Sequence, residues 1–151
     1  MLTVWRHISV SDNSLEGSVP SEVGHLINLV SMDIAENQLS GTLPMEMIQL
    51  RLVKLDAHSN RLSGTIPFDI SRLTSLRVVE LRDNRLSGTL PDSFGDLSNI
   101  HRVTLSYNEL NGTLPQNLGD MESLREIDLE GNFLVGSVPP SLGRLSKVAS
   151  F

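Results

Sequence analysis

Apolar residues recur along the chain at spacings of three, three and two, and the whole set returns about every 24 residues. The sets are Leu2/Trp5/Ile8/Val10, Leu26/Leu29/Met32/Ile34, Leu50/Leu52/Leu55/Ala57, Leu73/Leu76/Val79/Leu81, Leu97/Ile100/Val103/Leu105 and Met121/Leu124/Ile127/Leu129. The last two members of each set lie two apart, the period of a short strand with one face buried. Such a unit buries its apolar side only against its neighbours, so a fixed period in this range predicts a stacked array. The array divides into repeats 2–25, 26–49, 50–72, 73–96, 97–120 and 121–144, with a partial seventh at 145–151.

Polar and turn-forming residues keep the same step. Asn13, Asn37, Asn60, Asn84, Asn108 and Asn132 follow the strands; Gly17, Gly41, Gly64, Gly88, Gly112 and Gly136 stand four residues on. Pro20, Pro44, Pro67, Pro91, Pro115 and Pro139 come three later still. After each strand the chain turns inward and takes backbone N–H and C=O groups away from water. A neutral amide supplies both donors and an acceptor for them, which a carboxylate does not. The Asn column is therefore expected to be a structural ladder. Gly permits the turn, and Pro stops regular pairing and sends the chain outward. Val23, Met47, Ile70, Phe94, Leu118 and Leu142 then re-enter the core, through short 3₁₀ or helical turns rather than long helices.

The third repeat breaks the rhythm. Only Arg51 separates Leu50 from Leu52, and Ala57 stands where its neighbours carry a large side chain. A local kink at the strand's approach is expected, with a small void or an inward shift at Ala57.

Charge adds a surface to this frame. The position between the last two core residues of each strand reads Ser9, Asp33, Asp56, Glu80, Thr104, Asp128. Stacked about 4.8 Å apart, Asp33, Asp56 and Glu80 form an acidic ladder. Opposed like charges are unfavourable, so Lys54, Arg77 and Arg82, a cation, or a basic partner must offset them. His58 shares the Asp56 strand face. Further along, His101, Arg102, Tyr107 and Arg125 read as a basic and aromatic patch, with Tyr107 the candidate anchor. These residues, with Asp33, Asp56, Glu80, Arg77, Arg82 and Asp128, are the candidate ligand-binding set of the sheet face.

Several classes of chemistry find no support. Net charge is −6 with acids and bases interspersed, which disfavours nucleic acid or an acidic membrane as partner. Cysteine is absent, so there is neither a disulfide framework nor a thiolate metal site. One carboxylate per strand makes a poor oxygen cage, and the histidines show no metal-ligand spacing, so no metal is expected. No Ser or Cys nucleophile accompanies Asp56 and His58, and the glycines are turn makers rather than a phosphate loop. No catalytic residue and no cofactor are assigned. Asn111-Gly112-Thr113 is an N-glycosylation sequon, meaningful only in a secreted chain.

Taken together, the pattern LxxLxxLxLxxNxLxGxLPxxxGx resembles the plant-specific leucine-rich repeat and covers nearly all 151 residues. The resemblance implies a right-handed superhelical α/β solenoid with a parallel sheet on its concave side and 3₁₀ or short helical turns on its convex side. It also implies a second short sheet at the Gly-x-hydrophobic-Pro step. For function it implies non-catalytic binding of a protein or peptide, to which the acidic ladder adds a preference for a basic ligand. Ectodomains of receptor-like kinases and receptor-like proteins are built this way, as are secreted polygalacturonase inhibitors. A receptor-type recognition module is the leading reading; a soluble inhibitor of a cell-wall-degrading enzyme and an intracellular adaptor are the alternatives. The end repeats lack polar caps, leaving Leu2/Trp5/Ile8/Val10 and Leu142/Leu145/Val148/Phe151 open. A fragment of a longer chain is expected, with end-to-end association the other way to cover those faces. No stretch suits a membrane span. As part of a longer chain the segment belongs at the cell surface or outside the cell; the start shows no signal peptide, which leaves the cytoplasm open.

Overall fold

The computed structural model describes residues 4–149. Each repeat contributes two short strands and one 3₁₀ turn. In chain order the strands are β1 (His7–Ser9), β2 (Glu16–Ser18), β3 (Ser31–Asp33), β4 (Gln38–Gly41), β5 (Lys54–Asp56) and β6 (Arg61–Thr65). They continue with β7 (Val78–Glu80), β8 (Arg85–Thr89), β9 (Arg102–Thr104), β10 (Glu109–Gly112), β11 (Glu126–Asp128) and β12 (Phe133–Leu134). Odd-numbered strands form one six-stranded parallel sheet, the concave face, and even-numbered strands form a second. The 3₁₀ turns, such as Met45–Gln49 and Asp92–Asp96, close the outer side.

The register follows from which side chains must be buried. Ile8, Met32, Leu55, Val79, Val103 and Ile127 are opposite one another along the first sheet. A slip of one residue would turn every one of them to solvent. Each repeat then adds a layer to one continuous core; in the fourth, Leu76, Val79, Leu81, Leu86, Leu90 and Phe94 are all buried. The six prolines start the outer turns. Their carbonyls accept the N–H of Val23, Met47, Ile70, Phe94, Leu118 and Leu142, so the apolar re-entry is fixed by backbone bonds of 2.9–3.1 Å.

The second sheet lies earlier in the repeat than the resemblance implies. Its strands begin one to three residues after the Asn and end at or near the Gly, before the hydrophobic-Pro step. Pro has no N–H to donate, so pairing has to end ahead of it. Gly88 shows why this corner needs glycine: φ is +76°, and a Cβ there would stand 2.8 Å from Thr65 Cγ2. On the outer side, a Cβ on Gly119 would overlap the Ser141 carbonyl of the next turn.

The missing residue of the third repeat is absorbed at one hinge. Regular repeats close the approach to the strand with an i→i+3 bond, as from Leu76 N to Leu73 O (2.9 Å) and from Ile100 N to Leu97 O (3.1 Å). Leu50 instead is extended, ψ 164°, where Leu26 and Leu73 have ψ 58° and 59°. The strand resumes in register, and Leu50 and Leu52 are both buried. Ala57 is fully buried, and a cavity of about 20 Å³ is walled by residues such as Leu43, Leu55 and Leu81 rather than by Ala57.

Of the expected open ends, Leu2 and Phe151 lie outside the described residues. Trp5 is exposed, whereas Leu142, Leu145 and Val148 pack partly against the core. Among the described residues, no helix is long and apolar enough to cross a membrane.

Candidate functional site

The concave sheet presents its solvent-facing side chains in columns. First strand positions form the series His7, Ser31, Lys54, Val78, Arg102, Glu126, and third positions the series Ser9, Asp33, Asp56, Glu80, Thr104, Asp128. Arg77, His101 and Arg125 stand one residue before β7, β9 and β11, at the strand entrance. His58 and Arg82 follow β5 and β7 by two residues, and Tyr107 follows β9 by three, at the strand exit.

Asp33, Asp56 and Glu80 are direct neighbours in register. Repulsion between unit charges at that spacing is on the order of 1 kcal/mol in water and ~3 kcal/mol at an effective dielectric of 20, so the middle carboxylate must be compensated. Asp56 is the buried one, 6% exposed. Its Oδ2 meets Lys54 Nζ at 3.0 Å and its Oδ1 meets His58 Nδ1 at 2.6 Å. Burial alone would push this carboxyl up, but the hydrogen bonds from His58 and Lys54 outweigh it and hold the group below its ordinary value. The same contact acts on Lys54: the hydrogen bond to Asp56 raises the ammonium above the usual lysine range, against a smaller opposing effect of burial. His58 Nε2 also lies 3.5 Å from Glu36, tying a second repeat into the polar network.

At Glu80 the compensation comes from the following strand. Arg102 reaches Glu80 at 3.6 Å and Glu126 at 2.8 Å, bridging three strands. The acidic ladder is therefore offset by Lys54, His58 and Arg102, not by Arg77 and Arg82 as expected. Arg82 instead pairs with Asp83 at 3.2 Å, and Arg77 makes no ion pair among the described residues. Sequence distance misled here: a residue 22 positions away in the next strand is closer in space than one two positions along.

The expected basic and aromatic patch also divides. His101, Arg102 and Arg125 lie at the entrance, whereas Tyr107 lies at the exit among acids. Its hydroxyl donates to Glu130 (2.8 Å), which raises the phenol's pKa, and its ring covers the Cα side of Gly131. Tyr107 has a left-handed backbone, φ 55°, as do Asp12, Glu36, Ser59 and Asp83 at the same position of other repeats. Five residues of such different chemistry share that conformation because the N–H of each is bonded to a carbonyl of the next repeat.

Asp56, His58 and Glu80 are the described residues best placed to hold a metal ion, with ligand atoms within 4.8 Å of one another. Spacing along the chain does not reveal this set, because Glu80 comes from the neighbouring strand. Both Asp56 oxygens are already engaged by Lys54 and His58. Thr104, next to Glu80 in the ladder, is buried with its hydroxyl unpaired. Asn111 lies outside this face, exposed on β10 opposite Thr89 of the second sheet. A shallow groove of about 390 Å³ runs along that side past Thr65, Pro67 and Phe68 and carries no charged lining residue.

Beneath both surfaces runs the asparagine column. Asn108 donates to the carbonyls of Leu81 (3.0 Å) and Leu105 (3.1 Å) and accepts from Leu86 N (2.9 Å). Asn37, Asn60, Asn84 and Asn132 repeat this pattern, each accepting from the preceding repeat. The side chain of Asn13, at the exposed end, bonds among the described residues only within its own turn, to Val10 O and Ser11 O.

Comparison with known proteins agrees with this architecture. The leucine rich repeat family profiles match residues 74–134, and residues 5–26 and 51–73. No curated protein matches the chain. Among solved structures, the plant peptide hormone receptor RGFR1 in complex with RGF2 is 33% identical with a TM-score of 0.92, covering 93% of this chain and 23% of that one. The Arabidopsis receptor kinase HAESA, in complex with the peptide hormone IDA and the co-receptor SERK1, is 29% identical with a TM-score of 0.89, over 93% of this chain and 24% of that one. The ectodomain of the Arabidopsis thaliana receptor kinase SOBIR1 is 31% identical with a TM-score of 0.81, over 87% and 72%. The chain thus spans about a quarter of the length of the first two. With its profile matches, its register and its asparagine column in agreement, the chain belongs to the leucine-rich repeat family, in the form found in plant receptor ectodomains.

Proposed function

We propose that this segment is a non-catalytic recognition module that binds a protein or peptide ligand on its concave face, as part of a receptor-like protein facing the cell exterior. The observation that carries the reading is the concave sheet itself: a rigid parallel surface whose columns hold ionisable side chains at a fixed spacing. A pre-formed surface loses little ordering entropy on binding, which favours recognition over chemistry. Similarity to RGFR1 and HAESA, each solved with a peptide hormone, supports the choice of ligand class.

The test is a peptide-display selection against the purified chain, followed by two variants. Arg102→Ala with Arg125→Ala alters the concave face, and Phe68→Ala alters the groove on the other side. The reading expects the first to weaken the selected peptides about tenfold or more and the second to leave them unchanged. The opposite pattern rejects it.

A further inference from the structure

The unpaired charges of the concave face are sorted by position along the strand. Lys54, Arg82 and Arg102 are consumed by internal pairs with Asp56, Asp83, Glu80 and Glu126, and Glu36 lies 3.5 Å from the His58 ring. Among the described residues, the arginines that stand one residue before a strand of this sheet are Arg6, Arg77 and Arg125, all exposed and in no ion pair. The carboxylates that remain are Asp12, Asp33, Asp128 and Glu130, all at the strand exit. The face is therefore not an acidic strip. It is a sheet with a positive margin and a negative margin, and the two run side by side along the stacking direction.

The two margins are about three to six residues apart along each strand, on the order of 10–20 Å at 3.3 Å per residue. Six strands at ~4.8 Å make a track about 24 Å long, which matches roughly seven residues of extended chain. In an extended chain successive side chains point to opposite sides. A segment lying along this track would send its odd-numbered side chains to one margin and its even-numbered ones to the other.

We propose that the concave face selects an extended peptide segment in which acidic and basic side chains alternate, with the acids toward Arg77 and Arg125 and the bases toward Asp33, Asp128 and Glu130. This rests on the peptide-binding reading above and narrows it from a basic ligand to a two-signed one. Each matched pair is solvent-exposed and weak by itself; the discrimination comes from several acting in register, and from the repulsion a mis-sided charge meets.

Two peptides of about eight residues separate this from composition alone. One repeats Lys-Glu; the other repeats Lys-Lys-Glu-Glu, with the same composition and net charge but both signs on each side. At low salt the alternating peptide is expected to bind the intact chain about tenfold more tightly than the other, an advantage lost as salt is raised. Arg77→Glu with Arg125→Glu makes both margins acidic. It should erase the preference and transfer it to an all-lysine peptide, with Asp33→Lys and Asp128→Lys as the converse variant and circular dichroism confirming both folds. Equal binding of the two orders, or tighter binding of the all-lysine peptide by the unaltered chain, overturns the proposal while leaving concave peptide binding intact. If no peptide, designed or selected, responds to any of these four positions, both readings fall.

Discussion

Two ladders climb this molecule at the same spacing, one of asparagine and one of carboxylate, and they meet opposite physical problems. The amide rung donates to two carbonyls and accepts from the preceding repeat, so each rung is satisfied by its neighbours and the pattern extends indefinitely. The carboxylate rung only accepts, and its neighbour in the column carries the same charge. Asp56 is stable where it stands because Lys54 and His58 come from its own strand and turn, and Glu80 because Arg102 comes from the next. A neutral self-satisfying rung therefore repeats, whereas a charged rung must be solved locally. The first kind builds the scaffold, and the second makes one scaffold differ from another.

The largest break in this contrast comes from making an amide rung resemble a carboxylate rung. Asn108→Asp removes the donors to Leu81 O and Leu105 O and places a charge where 5% of the residue is exposed. A loss of ~3 kcal/mol or more in urea unfolding is expected, since Leu81 O and Leu105 O each lose one of their two amide donors and a charge is buried. The same change at exposed Asn13 should cost less than ~1 kcal/mol, because water replaces its bonds. Equal losses at the two sites would mean that the column is not what holds the turns.

The carboxylate ladder breaks through its bases. Lys54→Met should cost ~1–2 kcal/mol at neutral pH, at the low end because Lys54 is partly exposed. Asp56→Asn tests the same network by pH. The Asp56 carboxyl is held below its ordinary value, so its contribution is present above the unfolded carboxylate pKa and is lost as pH falls through the folded one. Lys54 is raised, so its share persists through neutral pH and is lost only as pH rises through the folded lysine value. Stability of the unaltered chain minus that of the Asn variant should thus be greatest between those limits and shrink at both ends. A difference flat across the whole range would contradict the pairing.

How much of this was legible in the sequence follows the same division. The asparagine ladder, the strand register and the proline-led turns are periodic, and a period can be read from a single chain. Lys54, Val78, Arg102 and Glu126 share a column that could have been found by carrying the register across repeats. Which of them pairs with which could not, because Arg102 reaches both Glu80 and Glu126 through geometry across strands. The small side chain of Ala57 allows either a gap or an inward shift of its neighbours, and one chain's period does not choose between them; in the fold it is fully buried. The second sheet was expected too late in the repeat, although the missing N–H of proline argues against pairing at that step.

The finest test concerns Tyr107, the only tyrosine of the chain, whose titration can be followed without overlap from another phenol. Its hydroxyl donates to Glu130, and the nearby carboxylate disfavours a phenolate, so the group is raised above the ordinary tyrosine value. Asp128 and Asp83 press in the same direction, as expected of a residue on the negative margin rather than in a basic patch. Glu130→Gln should bring the ultraviolet titration midpoint down toward that of free tyrosine while leaving unfolding nearly unchanged. Arg125→Ala, at the opposite margin, should move it little. If the arginine change shifted Tyr107 more than the glutamate change did, the two margins would not be electrically separate, and the face would act as one mixed surface after all.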